Sequence, residues 1–530
     1  MTGALLALSF PPLPFNLLAF VGFVPVLFLL DHKPKNPFLL IYIAFFVYHG
    51  GTNWWISSWQ ADSDPYLMVA GIATWLVHPF FFMIPFAIYM YFKRKMGDNV
   101  ALWFFPFIWI FYEWIHSLGD LAYPWLSIGY TQANSLIWAQ FADIAGVWGL
   151  SFVIVVLNVL FYKIVLQIRE SRAAGTKVKI DPRLIAAHLV IFILPFIYGG
   201  IVMDKHNYED DLKNYPSLRI GMIQPSINPW SKWEDSVFDQ IKHHQKIQDS
   251  LRAEHGWLDL GIWSETAIGY FSYTMNVSHE FSFLQKWVDT SKTNLLTGFA
   301  DIIIYDTPAQ TSPTAKDFKG DTSKKYDSYN SALMLTPGKE DDYQIYHKMR
   351  LTPFSERIPF IEYFPFLREW LEWGVGISSW ALGKKQENLK IYKNKDTIKI
   401  APVICIESIF PSFVADFIDK GADIVVIITN DAWYDYTFGP VQHYAIARMR
   451  AIETRRYIAR TANSGVTGFI RPTGEDLLML DQYISTGIAA DVPALSGRTV
   501  FVRIGNLLCH IAFAVTLLGF LLSAFYYKRS

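Results

Sequence analysis

This chain has 530 residues, enough for two or three domains. It is 52% hydrophobic and 18% charged, whereas soluble domains average about 25% charged residues, which excludes an ordinary soluble protein. The formal net charge of −1 provides no basic surface, and we expect no nucleic-acid partner. The two cysteines, Cys405 and Cys509, lie far apart and predict no disulfide framework.

Residues 1–203 consist of long apolar runs separated by short polar loops. Because about 20 apolar residues cross a hydrocarbon core, this region predicts a bundle of transmembrane helices, with one more helix at 505–527. Residues 3–10 are too short to span it, so either residues are missing before them or the segment is re-entrant. A soluble helical core is disfavoured because runs such as ALWFFPFIWIFYEWI have no polar face. The predicted spans are 14–30, 38–57, 67–92, 100–117, 143–166, 184–203 and 505–527.

Lysine and arginine residues follow alternate apolar segments. If residues 3–10 are counted as the first segment, these basic residues occur after the second, fourth and sixth segments, for example at 93–95. They occur again after the last segment. The loops 58–66 and 118–142 contain neither residue type. By the positive-inside rule the basic loops are cytoplasmic. Residues 204–500 are therefore predicted to be extracytoplasmic and the C-terminus cytoplasmic.

Residues 204–500 have the composition of a soluble domain, in which short β-rich runs alternate with helical ones. Continuous apolar runs such as DIVVIIT are typical of a sheet covered on both faces. The alternation predicts an α/β or α+β sandwich. The predicted strands are 218–224, 259–265, 294–301, 331–337, 344–348, 398–407, 423–429 and 464–472, and the predicted helices are 234–254, 278–290, 409–420 and 439–455.

One segment of this domain, residues 353–383, is dominated by aromatic and aliphatic residues with isolated Glu and Arg between them. Trp and Tyr favour the boundary between membrane and water because their rings are apolar with a polar edge. We predict an aromatic interfacial arm here. The alternative is an arm that packs within the domain.

Three residues lie at the C-terminal ends of predicted strands, where open sheets tend to place ligand sites. They are Glu265, Lys348 and Cys405. Each has an ordinary explanation when taken alone, as a solvated carboxylate, a surface lysine and a small buried hydrophobe. Together, Glu265 is the candidate base for the thiol of Cys405, and Lys348 is the candidate stabiliser of an oxyanion. Glu407 shares the strand face of Cys405 if the strand continues, where a buried carboxylate needs a partner.

The order and flanking sequence of these residues resemble the nitrilase superfamily. The matching text is WSE at 263–265, YHKMRLTPFSE at 346–356, ICIE at 404–407 and TNDAWY at 429–434. The further matches are QHYAIARMRAIETRR at 442–456 and RTANSGVTGFI at 460–470. With the predicted spans around this pattern, the chain resembles the apolipoprotein N-acyltransferases over nearly its whole length.

The resemblance implies an α-β-β-α sandwich held on a bundle of transmembrane helices in a bacterial inner membrane. It implies Glu265 as general base, Lys348 as oxyanion stabiliser and Cys405 as nucleophile. The residues that it places around this triad are Glu356 and Glu407 as supporting carboxylates, and Trp233, Asn430 and Asp431 near the substrate. Many relatives carry an aromatic residue directly after the nucleophile, where this chain has Ile406, so backbone N–H groups would have to serve as donors there.

The resemblance also implies a two-step acyl transfer without a cofactor. Cys405 would take an acyl chain from a membrane phospholipid as a thioester. The amino group of the diacylglyceryl-cysteine of an apolipoprotein would then accept the chain, with both substrates held in the bilayer. No metal site is predicted, because His243 and His244 are neighbours in a helix and face different directions.

Two other functions remain open. A membrane-tethered amidase of the nitrilase type would use the same three residues with water as the acceptor, although a tether needs only one span. A non-enzymatic transporter or scaffold with a degenerate domain would need polar groups inside its spans, where Glu113 and His78 are the main candidates.

Overall fold

A computed structural model describes residues 1–57, 65–232, 234–270, 278–306, 311–318, 321, 323–339, 342–364, 366 and 380–527. The described residues divide into two compact units. The first comprises Val69–Lys205 and the described parts of Met1–Ser58 and Thr499–Ser530. The second comprises the described parts of Trp59–Met68 and of His206–Arg498.

Helices form the first unit and cover the sheets of the second. The α-helices of the described chain are α1 (Thr2–Ser9), α2 (Val24–Asp31), α3 (Pro37–Asn53), α4 (Pro65–Val77), α5 (Met83–Met96), α6 (Asp98–Ile115), α7 (Leu136–Ala139), α8 (Ala142–Ala173), α9 (Pro182–Lys205), α10 (Tyr208–Asn214), α11 (Val237–His255), α12 (His279–Ser291), α13 (Pro411–Asp419), α14 (Phe438–Thr454), α15 (Val500–Ile504) and α16 (Leu507–Tyr527).

All described strands belong to the second unit. They are β1 (Ser217–Gln224), β2 (Leu260–Ile262), β3 (Ile268–Tyr270), β4 (Asn294–Tyr305), β5 (Lys316–Asp317), β6 (Lys325–Leu335), β7 (Gln344–His347), β8 (Leu389–Lys393), β9 (Asp396–Ile404), β10 (Ile424–Thr429), β11 (Ile458–Ala462), β12 (Gly468–Ile470), β13 (Asp476–Met479) and β14 (Thr486–Pro493).

The first unit has the apolar helices of a membrane protein. Among the described residues, four helical stretches are long and apolar enough to cross a membrane. They are Leu67–Met96, Ala142–Ala173, Pro182–Lys205 and Leu507–Phe525. The predicted spans 38–57 and 100–117 fall on the shorter helices α3 and α6.

The predicted span 14–30 is divided into two pieces. A 3₁₀ helix occupies Asn16–Val21, and α2 begins three residues later, so backbone groups between the two lack intrahelical partners. The buried side chain of Asn158 pairs with them. Its Oδ1 accepts from Phe23 N at 2.8 Å, and its Nδ2 donates to Ala19 O at 2.8 Å. In apolar surroundings the N–H of Phe23 would otherwise remain unpaired at considerable cost, whereas Ala19 O also accepts from Gly22 N at 3.3 Å.

Two sheets pack face to face in the second unit. In the described chain the first sheet has eight strands, in the order β14-β1-β2-β4-β6-β5 with β3 on β4 and β7 on β6. The second has six, in the order β13-β12-β11-β10-β9-β8. Thr461 Oγ1 in β11 donates to Ile223 O in β1 at 2.9 Å and joins the two sheets.

Helices cover the outer faces of both sheets. Ile241 of α11 and Leu284 of α12 lie in the apolar core on the first sheet, and α13 and α14 pack on the second. This arrangement confirms the predicted α-β-β-α sandwich. Strands β1, β2 and β4 run parallel, as do β9, β10 and β11, so their C-terminal ends share one edge of each sheet and carry the loops that follow.

We expect Asn158→Ala to destabilise the first unit, because it leaves the buried N–H of Phe23 unpaired, at a cost of about 1–3 kcal/mol. Thermal unfolding of the detergent-solubilised protein measures this effect. The control is Asn99→Ala, since Asn99 is exposed and accepts only from Lys163. Equal unfolding temperatures for the two variants would contradict the assigned role of Asn158.

Candidate active site

The three residues predicted at strand ends meet at one place in the second unit. Glu265 follows β2, Lys348 directly follows β7, and Cys405 directly follows β9. Lys348 Nζ donates to Glu265 Oε1 at 2.9 Å. Both side chains are buried, whereas Cys405 is partly exposed. The charges of Glu265 and Lys348 both act on the thiol, so the fold brings together the candidate base, the candidate oxyanion stabiliser and the candidate nucleophile.

Lys348 lies between two carboxylates. Its Nζ donates to Glu265 Oε1 at 2.9 Å and to Glu356 Oε1 at 2.8 Å, and only 1% of the residue is exposed. Burial alone would lower the pKa of Lys348, but the two carboxylates outweigh it and raise this pKa well above its ordinary value. Burial would raise the pKa of Glu356, and the ammonium group lowers it instead. The site therefore holds a permanent cation.

Cys405 sits on a sharp turn at the end of β9. Its φ of 51° lies in the left-handed region, which non-glycine residues adopt at a cost and which is frequent at functional sites. A 3₁₀ helix over Cys405–Ile409 starts at this point. Burial raises the pKa of the Cys405 thiol well above its ordinary value; Glu265 adds to the rise and Lys348 opposes it. The resting thiol is protonated and needs a base to become a nucleophile.

Glu265 is fixed on both carboxylate oxygens. Oε1 accepts from Lys348 and, at 2.8 Å, from Asn330 Nδ2. Oε2 accepts from the backbone N–H of Asn430 at 2.9 Å. Asn330 Nδ2 also donates to Glu356 Oε1 at 2.9 Å. One amide group on β6 thus holds both carboxylates against Lys348.

The predicted strand 398–407 ends three residues early, so the condition under which Glu407 would share the strand face of Cys405 is not met. Strand β9 ends at Ile404, and the 3₁₀ helix turns Glu407 into the interior, where it is fully buried. Glu407 Oε1 accepts from Tyr346 Oη at 2.7 Å and from Met349 N at 2.6 Å, and Oε2 accepts from Ile404 N at 2.8 Å. Burial raises the pKa of Glu407 to about 7, although these hydrogen bonds oppose the rise. The carboxyl group ties the Cys405 turn to the segment that carries Lys348.

Two further predicted residues follow β10. Asn430 contributes its backbone N–H to Glu265, and its Oδ1 accepts from Asn463 Nδ2 at 3.1 Å. Asp431 is buried and accepts from Arg460 at 2.6 Å and from His443 at 2.9 Å. Trp233 lies outside the described residues. So do residues 365 and 367–379 of the segment 353–383; the exposed aromatic residues of its described part are Phe354, Phe360, Tyr363, Phe364 and Phe366.

Two buried residues of the site are absent from the sequence-based prediction. Asn330 lies one residue before the predicted strand 331–337 and inside the longer β6. An amide directly before the apolar run ALML is the signal that could have found it. Lys232 Nζ donates to Thr266 O at 2.5 Å and to Thr266 Oγ1 at 2.8 Å. Thr266 follows Glu265 with a φ of 45°, so Lys232 holds the loop of the candidate base. Burial lowers the pKa of Lys232 to about 8.

Two family models match separate regions of this chain. The apolipoprotein N-acyltransferase N-terminal domain matches residues 2–160. The carbon-nitrogen hydrolase model matches residues 219–498, the region of the sandwich and of the residues described above.

Proteins with the name apolipoprotein N-acyltransferase are similar to this chain over nearly its whole length. That of Chlorobaculum tepidum is 33% identical over 97% of this chain and 94% of its own. That of Geobacter metallireducens is 27% identical over 96% of this chain and 91% of its own. A solved structure of Saccharomyces cerevisiae Nit3, a member of branch 10 of the nitrilase superfamily, covers 52% of this chain and 90% of Nit3, with 13% identity and a TM-score of 0.37.

The raised pKa of Glu407 predicts a pH dependence of stability. Because its pKa rises from the ordinary 4.5 to about 7 on folding, the folded state keeps a proton that the unfolded state has lost. The contribution of Glu407 to stability therefore falls as pH rises from about 4.5 to 7, by at most about 1.4 kcal/mol per pH unit, and is constant above. Over this pH range the unfolding temperature should fall less for Glu407→Gln than for the wild type.

The control for this comparison is Glu387→Gln, since Glu387 is exposed. It should keep the wild-type pH dependence. The assignment to Glu407 is contradicted if Glu407→Gln and Glu387→Gln show the same slope of unfolding temperature against pH.

Proposed function

This chain belongs to the apolipoprotein N-acyltransferases, and as an enzyme of that family it acylates lipoproteins; we propose that it does so through a thioester on Cys405. The acyl donor is a membrane phospholipid, and the acceptor is the amino group of the diacylglyceryl-cysteine at the N-terminus of an apolipoprotein. The observation that carries the mechanism is the buried contact of Lys348 with Glu265 and Glu356 beside a partly exposed thiol.

The first half of the reaction forms the thioester. Glu265 takes the proton of the Cys405 thiol, and the sulfur attacks the ester carbonyl carbon of the phospholipid. The negative charge that develops on the carbonyl oxygen is stabilised by Lys348 and by backbone N–H groups. The tetrahedral intermediate collapses, the C–O bond breaks, and the leaving alkoxide of the lysophospholipid takes the proton from Glu265.

The second half transfers the acyl chain to nitrogen. The neutral amino group of the apolipoprotein attacks the thioester carbonyl, and Glu265 accepts a proton from the attacking nitrogen. The C–S bond breaks, and the leaving sulfur of Cys405 recovers the proton. The products are an amide and the free thiol, so the enzyme returns to its starting state without a cofactor.

The surrounding residues support this chemistry in separate ways. Glu356 holds Lys348 and is itself fixed by Thr352 N at 2.8 Å. Glu407 joins the nucleophile turn to the backbone at Met349. Asn430 orients Glu265 through its N–H. We assign Asn430, Asp431 and Trp233 to the rim of the substrate site.

The membrane placement is part of the proposal. Four helical stretches in the described chain are apolar and long enough to cross a membrane, and the basic residues follow alternate spans. We place the chain in the bacterial inner membrane as a multi-pass protein, with residues 204–500 extracytoplasmic and the C-terminus cytoplasmic. The exposed aromatic residues Tyr363, Phe364 and Phe366 support contact of the arm 353–383 with the lipid surface.

Both competing functions are disfavoured. An amidase and an acyltransferase of this superfamily share the three residues, but the match of residues 2–160 is to the N-terminal domain of apolipoprotein N-acyltransferases. A degenerate scaffold does not require the ion pairs that hold Lys348 between two buried carboxylates.

The thioester is tested by the intact mass of the purified protein after incubation with phosphatidylethanolamine of defined chain length. We expect a mass increase of one acyl group that hydroxylamine removes, because thioesters react with this nucleophile. The adduct should be absent from Cys405→Ala and present in Cys509→Ala, which removes the other cysteine of the chain. An acyl adduct that persists in Cys405→Ala would contradict the proposed mechanism.

The orientation is tested with single cysteines in a Cys405→Ala, Cys509→Ala background. The two substitutions are Lys339→Cys and Lys177→Cys. Lys339 lies on an exposed turn of the second unit, and Lys177 lies on an exposed loop that we place in the cytoplasm. A membrane-impermeant maleimide applied to intact spheroplasts should label the first and not the second, while both should react after lysis. The reverse pattern would overturn the orientation.

A further inference from the structure

His443 on α14 lies between two groups that only accept hydrogen bonds. Its Nδ1 is 2.9 Å from Asp431 Oδ1, and its Nε2 is 3.2 Å from the carbonyl oxygen of Cys405. Only 3% of the residue is exposed, so there is little room for water to replace either partner. A neutral imidazole has one N–H and satisfies one acceptor, whereas an imidazolium donates from both nitrogens.

Asp431 meets His443 as a carboxylate. Arg460 donates to its Oδ2 at 2.6 Å, and Thr429 Oγ1 donates to its Oδ1 at 2.9 Å. Burial would raise the pKa of Asp431, but Arg460 and His443 hold it well below its usual range. The carboxylate therefore accepts the Nδ1 proton of His443.

The contacts of Ser408 indicate whether the other ring nitrogen of His443, Nε2, carries a proton. Its Oγ lies 2.8 Å from His443 Nε2 and 2.8 Å from Cys405 O. The hydroxyl of Ser408 has one hydrogen to donate. If it donated this hydrogen to an unprotonated Nε2, the carbonyl oxygen of Cys405 would face a lone pair on Ser408 Oγ and receive no hydrogen from Nε2. With Nε2 protonated, Ser408 accepts from His443 and donates to Cys405 O, and every group is satisfied.

The hydrogen bonds to Cys405 O act on the place where an oxyanion forms. Cys405 O and the N–H of Ile406 belong to one peptide unit, so donation to the carbonyl strengthens that N–H as a donor. Cys405 stands on a sharp turn, with a φ of 51°. The N–H after a nucleophile on such a turn is a common oxyanion donor. The side chain of Ile406 supplies no donor, which leaves this role to the backbone.

We propose that His443 is a positioning residue of acyl transfer, doubly protonated and anchored on Asp431, which fixes the turn at Cys405 and strengthens the Ile406 N–H as an oxyanion donor. The kinetic part of this inference rests on the proposed thioester chemistry. The charged or titratable groups that face His443 and its two partners are Asp431, Arg460, Cys405, Glu265, Lys348, Glu356 and Tyr434.

The protonation state is measured without turnover, by nitrogen NMR of the full-length protein labelled at histidine and reconstituted in lipid. His443 is identified by the signals missing from His443→Gln or, if that variant does not fold, by the contact of its Nδ1 with a labelled aspartate carboxyl. We expect two N–H signals close together at neutral pH, as in an imidazolium. Widely separated signals, as in a neutral ring, would overturn the inference even if acyl transfer stands.

The positioning role is measured by the rate of Cys405 acylation in a single turnover. His443→Phe removes both donors and should lower the maximal acylation rate about 10-fold or more, with little change in the phospholipid concentration at half-maximal rate. Ser408→Ala should have a smaller effect, since His443 still reaches Cys405 O. His255→Gln is the control, because His255 is exposed and distant in sequence from these residues. A wild-type rate in a folded His443→Phe would contradict the role.

Discussion

The site depends on one buried ammonium group and the two carboxylates that compensate its charge. An unpaired ion at the position of Lys348, which is 1% exposed, would cost several kcal/mol of desolvation. Glu265 and Glu356 lie on different segments of the chain, and Asn330 on β6 donates to both. Removal of either carboxylate leaves a partly compensated charge in the interior, at a cost of about 3–5 kcal/mol. Three loops must therefore meet for this edge of the sandwich to fold, and the same meeting assembles the groups that acyl transfer needs.

The same charges explain why Cys405 is not a preformed thiolate. Three carboxylates, on Glu265, Asp431 and Glu356, raise the pKa of the thiol, whereas the ammonium group of Lys348 lowers it. Burial raises this pKa further, and Lys348 only partly opposes the rise. Where a cation dominates the surroundings of a cysteine nucleophile, the pKa of the thiol falls instead. Here the proton must leave as the sulfur attacks, and the base that takes it has to be in place beforehand.

The sequence pattern predicted the residues that follow the ends of strands. It did not predict the contacts of side chains that turn into the interior. Glu265, Lys348 and Cys405 were found because apolar runs stop just before them, and the strands at 218–224 and 423–429 are confirmed as β1 and β10. Glu407 was misplaced because the alternation of a strand says nothing about a left-handed residue at its end. Strand β14 and the hydrogen bonds of Asn330 and His443 depend on pairing between distant segments. No local pattern encodes such pairings.

The hydrogen bonds of Glu265 also decide which of its oxygens carries the proton. A carboxylate oxygen accepts about two hydrogen bonds. Oε1 has two, from Lys348 Nζ and Asn330 Nδ2, whereas Oε2 has one, from Asn430 N. In the proposed mechanism the remaining lone pair of Oε2 takes the proton of Cys405 in the first step and that of the attacking amine in the second. The bonds of Oε1 to Lys348 and Asn330 need not break for this transfer, so the mechanism requires no movement of Glu265 when it gains or loses a proton.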